Sequence, residues 1–146
     1  MGDPSGRCHC NIDQIERYRR KILGPLLDRI DIHVDVPRVP YAELEGPPGE
    51  TSVTVRKRVM KAHGRQHRRC KTLNSHLTNR QIEEYCTLKT TDRLLLRQAM
   101  DRLQLSARAY HRILKVARTI ADLDGTLAVA TCHLTEAINY RRLDRQ

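Results

Sequence analysis

Four groups of residues in this sequence have types and spacings that can do chemistry. Asp28-Arg29 stands at the mouth of GPLLDRIDIHVDVPRVP, residues 24–40. On spacing alone, Arg29 pairs with Asp28 or Asp31 at a surface, worth roughly 0–1 kcal/mol. Arg108, Arg112 and Lys115 fall at i, i+4 and i+7, a cationic stripe opposite an apolar face. Such a stripe is either simply solvated or turned to an anion, and the helix start beside Arg108 adds backbone donors suited to phosphate. Cys8-His9-Cys10 places two thiolates one residue apart, half of the four-ligand set of a tetrahedral zinc site. The fourth group is RKRVMKAHGRQHRRCK, residues 56–71, with eight Lys/Arg and no acid. It can contact DNA phosphates through Lys57, Arg58, Arg65 and Arg68, line an interface, or stand as a solvated helix. No aromatics interleave it, which argues against a base-stacking platform. His63 and His67 have i, i+4 spacing but no acid or third ligand nearby, so no metal site is assigned to them.

These residues need elements to hold them. Asn11 and Gln14 have capping-box spacing and open a short helix, NIDQIERYRRKI, which Gly24-Pro25 stops. Ile30, Ile32, Val34 and Val36 then alternate with Asp31, His33 and Asp35, a half-buried strand ended by Pro37 and Pro40. Gly46-Pro47-Pro48-Gly49 is the strongest linker signal and marks a domain boundary. Everything after Thr51 reads as helix. The basic stretch forms a helix over about 52–70. Thr78-x-x-Gln81 caps a short helix through Tyr85, and Thr91 or Asp92 caps the next, with Leu94, Leu95, Ala99 and Leu103 as its apolar stripe. Ser106 caps a helix burying Ala109, Ile113, Val116, Ala117 and Ile120, and Asp124-Gly125 ends it. Thr131 caps the last helix, with Leu134, Ala137 and Ile138 inward. A lone strand cannot satisfy its own edge groups, so it belongs to a sheet absent from this chain or pairs within an unusual α+β fold; the first is the better reading.

Bulk properties set the frame. The chain has 146 residues, 39% of them hydrophobic, with no Phe or Trp, so Leu, Ile, Val, Ala and five Tyr must build a lean core. A net charge of +10 attracts polyanions in a salt-dependent way without saying which. Five cysteines in this placement are no secreted disulfide framework; Cys70, Cys86 and Cys132 are expected to be small buried residues or plain thiols. No apolar run reaches the roughly 20 residues needed to cross a bilayer, and the first residues have neither a basic nor an apolar signal region. A soluble, cytoplasmic protein without membrane contact is the expectation.

LLDRIDIHVDVPRVPY, then LSARAYHRILKVARTIADL, then HLTEAINYRRLDR together resemble the C-terminal portion of magnesium-chelatase-like AAA+ ATPases. The nearest resemblance is to the competence-protein-M type, described as a DNA branch-migration helicase in natural transformation. It covers nearly the whole chain. It implies a mainly α fold: a C-terminal helical lid bundle at 50–146, preceded at 11–45 by a helix–strand remnant of the ATPase core. Residues 1–10 would be a disordered remnant of a Cys-rich zinc segment, with Cys8 and Cys10 as an incomplete site.

The same resemblance implies roles for two arginines. Arg29 corresponds to the arginine finger, which reaches into a neighbouring subunit's nucleotide site. A planar, always-charged guanidinium suits the negative charge spread over γ-phosphate oxygens. Arg108 corresponds to sensor 2, contacting nucleotide held by its own subunit. Arg112 and Lys115 stay ambiguous. ATP and Mg²⁺ are the implied cofactors, and the implied partners are the chain's own ATPase core, neighbouring subunits of a homo-hexamer, and DNA. No G-x-x-x-x-G-K-[ST] and no apolar run ending in Asp-Glu occurs, so the chain reads as part of a longer ATPase, inactive alone. Two other functions remain: a magnesium-chelatase motor inserting Mg²⁺ into a porphyrin, and a standalone basic helical module that binds nucleic acid.

Overall fold

The helix over Ala107–Asp124 organises the molecule because its buried positions follow the i, i+4 rule for its full length. Ala109, Ile113, Leu114, Ala117, Arg118, Ala121 and Asp122 all face inward. Three of these are alanines, which let neighbouring helices approach closely where no large aromatic is available to fill space. The computed structural model describes residues 9–15, 17, 29–34, 36–37 and 39–141.

Six α-helices occur among the described residues: α1 (Tyr41–Leu44), α2 (Ser52–Cys70), α3 (Asn79–Tyr85), α4 (Thr90–Leu103), α5 (Ala107–Asp124) and α6 (Thr131–Asn139), with a short 3-10 turn at Asn74–His76. The short α1 falls where the sequence reads only as punctuation. Helix α5 packs against α6, α2, α3 and the 3-10 turn, and α4 closes the bundle against α6. The core joins Leu77, Ile82, Cys86 and Leu96 to Ile113, Leu114, Ala117 and Ala121 of α5 and to Val129, Leu134 and Ala137 beside or on α6. This is the mainly helical bundle expected. None of the described residues forms a strand, and 30–34 runs without a ladder partner. That fits a segment with strand-like alternation and no neighbouring strand to pair with.

Most helix starts follow the local chemistry of the sequence. Asn11 and Gln14 exchange backbone-to-side-chain bonds of 2.8 and 3.0 Å around a helical turn at 12–15. Thr78 and Gln81 form a reciprocal capping box, and Ser106 Oγ accepts from Ala109 N at 3.1 Å. Two starts differ from expectation. Helix α4 begins at Thr90 behind Lys89, and α6 begins at Thr131 behind Ala130, not behind a side-chain cap from Thr91, Asp92 or Thr131. The reason is tertiary: the Thr131 hydroxyl donates to the buried Asp92 carboxylate at 2.6 Å, binding one helix start to the other. The Ala130 N–H instead donates to His133 Nδ1 at 3.0 Å, which leaves Nε2 as the donor to Asp124 at 3.0 Å.

The buried faces are also rotated slightly from the expected stripes. On α4 the buried pair is Asp92 and Leu96, Leu94 is 55% exposed, and Leu95 and Ala99 are half-buried. On α5, Val116 and Ile120 are half-buried, while Leu114, Arg118, Ala121 and Asp122 go inside. Of Cys70, Cys86 and Cys132, Cys86 is the buried member, and burial pushes its thiol up to about 11, while Cys132 is an exposed thiol.

Gly125 closes α5 at φ 83°, and a Cβ there would sit 2.8 Å from Arg65 Nη2. Gly125→Ala is therefore expected to cost about 1–2 kcal/mol from the left-handed backbone alone. Urea unfolding checks this as a lower midpoint at unchanged m-value.

Candidate functional site

Ser106 fixes the start of α5 and so places Arg108 in the helix's first turn, exposed. One turn on, Arg112 is no idle member of a stripe. Its Nη1 donates to the Arg29 carbonyl at 2.6 Å and to the Asp31 carboxylate. A turn further, Lys115 Nζ donates to the Ser75 carbonyl at 2.9 Å, tying α5 to the 3-10 turn. The ambiguity over Arg112 and Lys115 resolves toward internal contacts.

The segment carrying Arg29 is held from a second side. Buried Arg141, just past α6, donates to the Ile30 carbonyl, and the His33 N–H donates to the Tyr140 carbonyl at 2.9 Å. The Arg29 side chain is exposed. Residues 29–33 are thus fastened through their backbone to α5 and the end of α6, with the guanidinium of Arg29 on the solvent side. Ile32 and Val34 of this segment, with Val116, Ile120, Leu123 and Tyr140, line a cleft of about 380 Å³. The apolar side of the alternation is uncovered: Ile30, Ile32, Val34 and Val36 are all exposed, Val36 by 81%. Asp28 and Asp35 lie outside the described residues.

The basic helix α2 divides into free and committed cations. Lys57 and Arg68 are exposed. Arg58 makes a two-pronged pair with Glu50 at 2.9 and 3.0 Å. Arg65 Nη1 donates to the Asp122 carbonyl at 2.6 Å. Arg69 grips the Asp122 carboxylate with both Nη atoms at 2.8 and 2.7 Å. Asn74 adds a bond to Asp122 Oδ2 at 2.8 Å and buried Arg118 one to Oδ1 at 3.1 Å. Burial alone would raise the Asp122 carboxyl, but the bonds from Arg69 and Asn74 and the charges of Arg118 and Arg69 outweigh it and hold it below the usual carboxylate range. The same bond raises Arg69 above the ordinary guanidinium value, against the opposing effect of burial. Half of the four DNA-contact candidates therefore serve the fold's own contacts, and the basic run's inner face is structural.

Metal chemistry finds little here. Cys8 lies outside the described residues, Cys10 is half-buried, and no group of three His, Cys, Asp or Glu among the described residues could hold an ion. Among the described residues the donors do not make a zinc site. For nucleotide, the sequence offers cationic side chains and no G-x-x-x-x-G-K-[ST] motif. No described helix is long and apolar enough to cross a membrane.

Sequence reasoning missed Arg141, Arg118 and Asp122. Arg118 and Asp122 have i, i+4 spacing on the helix's apolar side, which is a readable sign of a buried pair. Arg141 carries no such signal, because its partner is a carbonyl 111 positions away in sequence.

Comparison with known proteins agrees with this architecture. The family described as magnesium chelatase, subunit ChlI C-terminal, matches residues 49–141, and magnesium chelatase, subunit ChlI, matches residues 1–44. The competence protein ComM of Haemophilus influenzae is 45% identical over 134 residues, covering 90% of this chain and 26% of that protein. YifB of Salmonella typhimurium is 44% identical over 138 residues, 93% of this chain and 27% of that protein. YifB of Escherichia coli is 42% identical over the same length, again with 27% of its own chain covered. The chain thus spans about a quarter of the curated relatives it matches. A helical chain that matches the ChlI C-terminal family over residues 49–141, preceded by a segment matching ChlI itself, belongs to the magnesium-chelatase-like family, of the ComM type.

Proposed function

We propose that this chain is the lid and arginine-finger segment of a magnesium-chelatase-like AAA+ ATPase that remodels DNA. In this reading residues 11–45 are the last helix and strand of the core, and 50–146 are the lid. Residues 1–10 are the remnant of a Cys-rich zinc segment, with Cys8 and Cys10 as an incomplete site. The observation that carries it is the junction at α5. Arg108 stands in that helix's first turn, and one turn on Arg112 holds the backbone of Arg29, so the helix that carries one candidate phosphate-facing arginine also tethers the segment that carries the other. ATP with Mg²⁺, when bound in such an ATPase, supplies the phosphoryl group that is transferred. Arg108 steadies the nucleotide of its own subunit, and Arg29 meets the developing charge in the neighbouring one. The exposed apolar alternation at 30–36 suits a strand that completes the core's sheet. Lys57 and Arg68 are the remaining candidates for DNA phosphates on α2.

The client is DNA and not a porphyrin in this proposal, because the competence role in the name of the Haemophilus influenzae relative points that way. The test is ATP turnover by the ATPase that holds this chain, with and without branched DNA. Stimulation by DNA is expected. Turnover indifferent to DNA would keep the ATPase and move the client to metal insertion. Tight, steeply salt-dependent DNA binding by the 146-residue chain alone would instead favour a self-sufficient nucleic-acid module.

Arg108→Ala gives a further check. Its removal is expected to narrow the ATP-over-ADP affinity ratio by about tenfold, the order of one lost charge-assisted contact. Titration with both nucleotides measures this, and an unchanged ratio with normal turnover removes the sensor role.

A further inference from the structure

Arg29 projects from a segment that has no sheet neighbour among the described residues, yet the segment is fastened at several backbone points. Arg112 Nη1 bonds the Arg29 carbonyl itself at 2.6 Å and also the Asp31 carboxylate, bracketing Ile30. Arg141 takes the Ile30 carbonyl, and Tyr140 accepts from His33. Every one of these partners belongs to α5 or to the two residues that directly follow α6, and these two helices pack on each other more extensively than any other pair. A rigid-body shift of α5–α6 must therefore carry residues 29–33 with it. Arg108 lies one turn before Arg112 on the same helix, 18 residues long and closed at both ends by caps.

We propose that Arg112 is a positioning residue for Arg29, and that it couples the nucleotide state sensed at Arg108 in one subunit to the presentation of Arg29 to the next. This rests on the finger reading above. Both bonds leave one atom, Nη1, whose two hydrogens the planar guanidinium holds in fixed directions, whereas a lysine ammonium turns freely on a flexible stem. The paired carboxylate is exposed, so the Arg112–Asp31 bond adds little stability and is free to serve alignment.

Two measurements test it. In the 146-residue chain, Arg112→Ala and Asp31→Asn should each speed hydrogen exchange at the His33 amide by about tenfold or more, while Ile113 and Leu134 amides in the core keep their protection. An unchanged His33 rate overturns the anchoring. In the ATPase that holds the chain, Arg112→Ala should lower kcat by about a hundredfold, the order lost when a reacting group is misplaced by about 1 Å, with KM for ATP unchanged. Arg112→Lys should restore only part of the loss. Added to Arg29→Ala, the substitution should cost nothing further, because it acts only through that side chain. Normal kcat in Arg112→Ala, or a loss that adds in full to that of Arg29→Ala, overturns the positioning role. If Arg29→Ala itself leaves turnover normal, it is the finger reading that fails.

Discussion

On the proposed reading, Arg29→Ala is expected to lower ATP turnover by the full-length protein by about 10³–10⁵-fold, while nucleotide affinity stays near its original value. The asymmetry follows from where the charge is needed. Phosphoryl transfer gathers negative charge on oxygens in the transition state, and a guanidinium supplied from a neighbouring subunit acts there and hardly at all on bound nucleotide in the ground state. The structure provides what such a residue requires: an exposed side chain on a backbone that is itself fastened. Lysine is a poor substitute, since a compact ammonium cannot span two oxygens in one plane. Single-turnover kinetics beside a nucleotide titration separates the two effects. Turnover within tenfold of the unsubstituted protein would return Arg29 to the rank of a surface cation.

Asp122→Ala should unfold or nearly unfold the bundle, at a cost of about 3–5 kcal/mol, because it leaves buried guanidinium charge without its counter-ion. The Asp122 carboxylate is 1% exposed and receives four bonds, two from Arg69 and one each from Arg118 and Asn74. Arg118 also donates to the Leu127 and Thr126 carbonyls at 2.7 and 2.8 Å, so the same group supports the turn after α5. Against a total stability of about 5–15 kcal/mol for a domain, this is a large share. Asp122→Asn keeps the shape and loses the charge, and should fall between.

The pH dependence has a definite sign. The folded Asp122 carboxyl lies below its ordinary value, so its contribution is fully present above about pH 4 and is lost as pH falls through the lower folded value. The gap between the unsubstituted chain and Asp122→Asn, measured by denaturant unfolding, should therefore narrow below about pH 4. A constant gap down to pH 2.5, or a loss under about 1 kcal/mol at pH 7, would show that the network is incidental to stability.

Much of this was open to a reader of the sequence. Ser106, Thr78 with Gln81, and Gly125 mark helix ends through bonds that span three or four residues, so the information is local. The 3.6-residue spacing of Ala109, Ile113, Ala117 and Ala121 makes α5 a core helix for the same reason. The position of Arg29 beside a strand-like alternation was equally plain, and the structure leaves its side chain exposed.

What no local rule could supply is the set of partners. Thr131 looks like a cap by type, but its hydroxyl belongs to Asp92, 39 residues earlier. Arg65 and Arg69 look like a solvated or DNA-facing run, yet they reach Asp122 across more than 50 residues. Arg112 looks like one cation of a stripe, and its partner is the carbonyl of Arg29, 83 residues away. Composition and periodicity determine which faces are apolar and where helices stop, because burial and backbone bonding act on near neighbours. Which buried charge meets which carboxylate, and which arginine holds the Arg29 backbone, depends on how the helices cross, and that is settled only when the whole chain is packed.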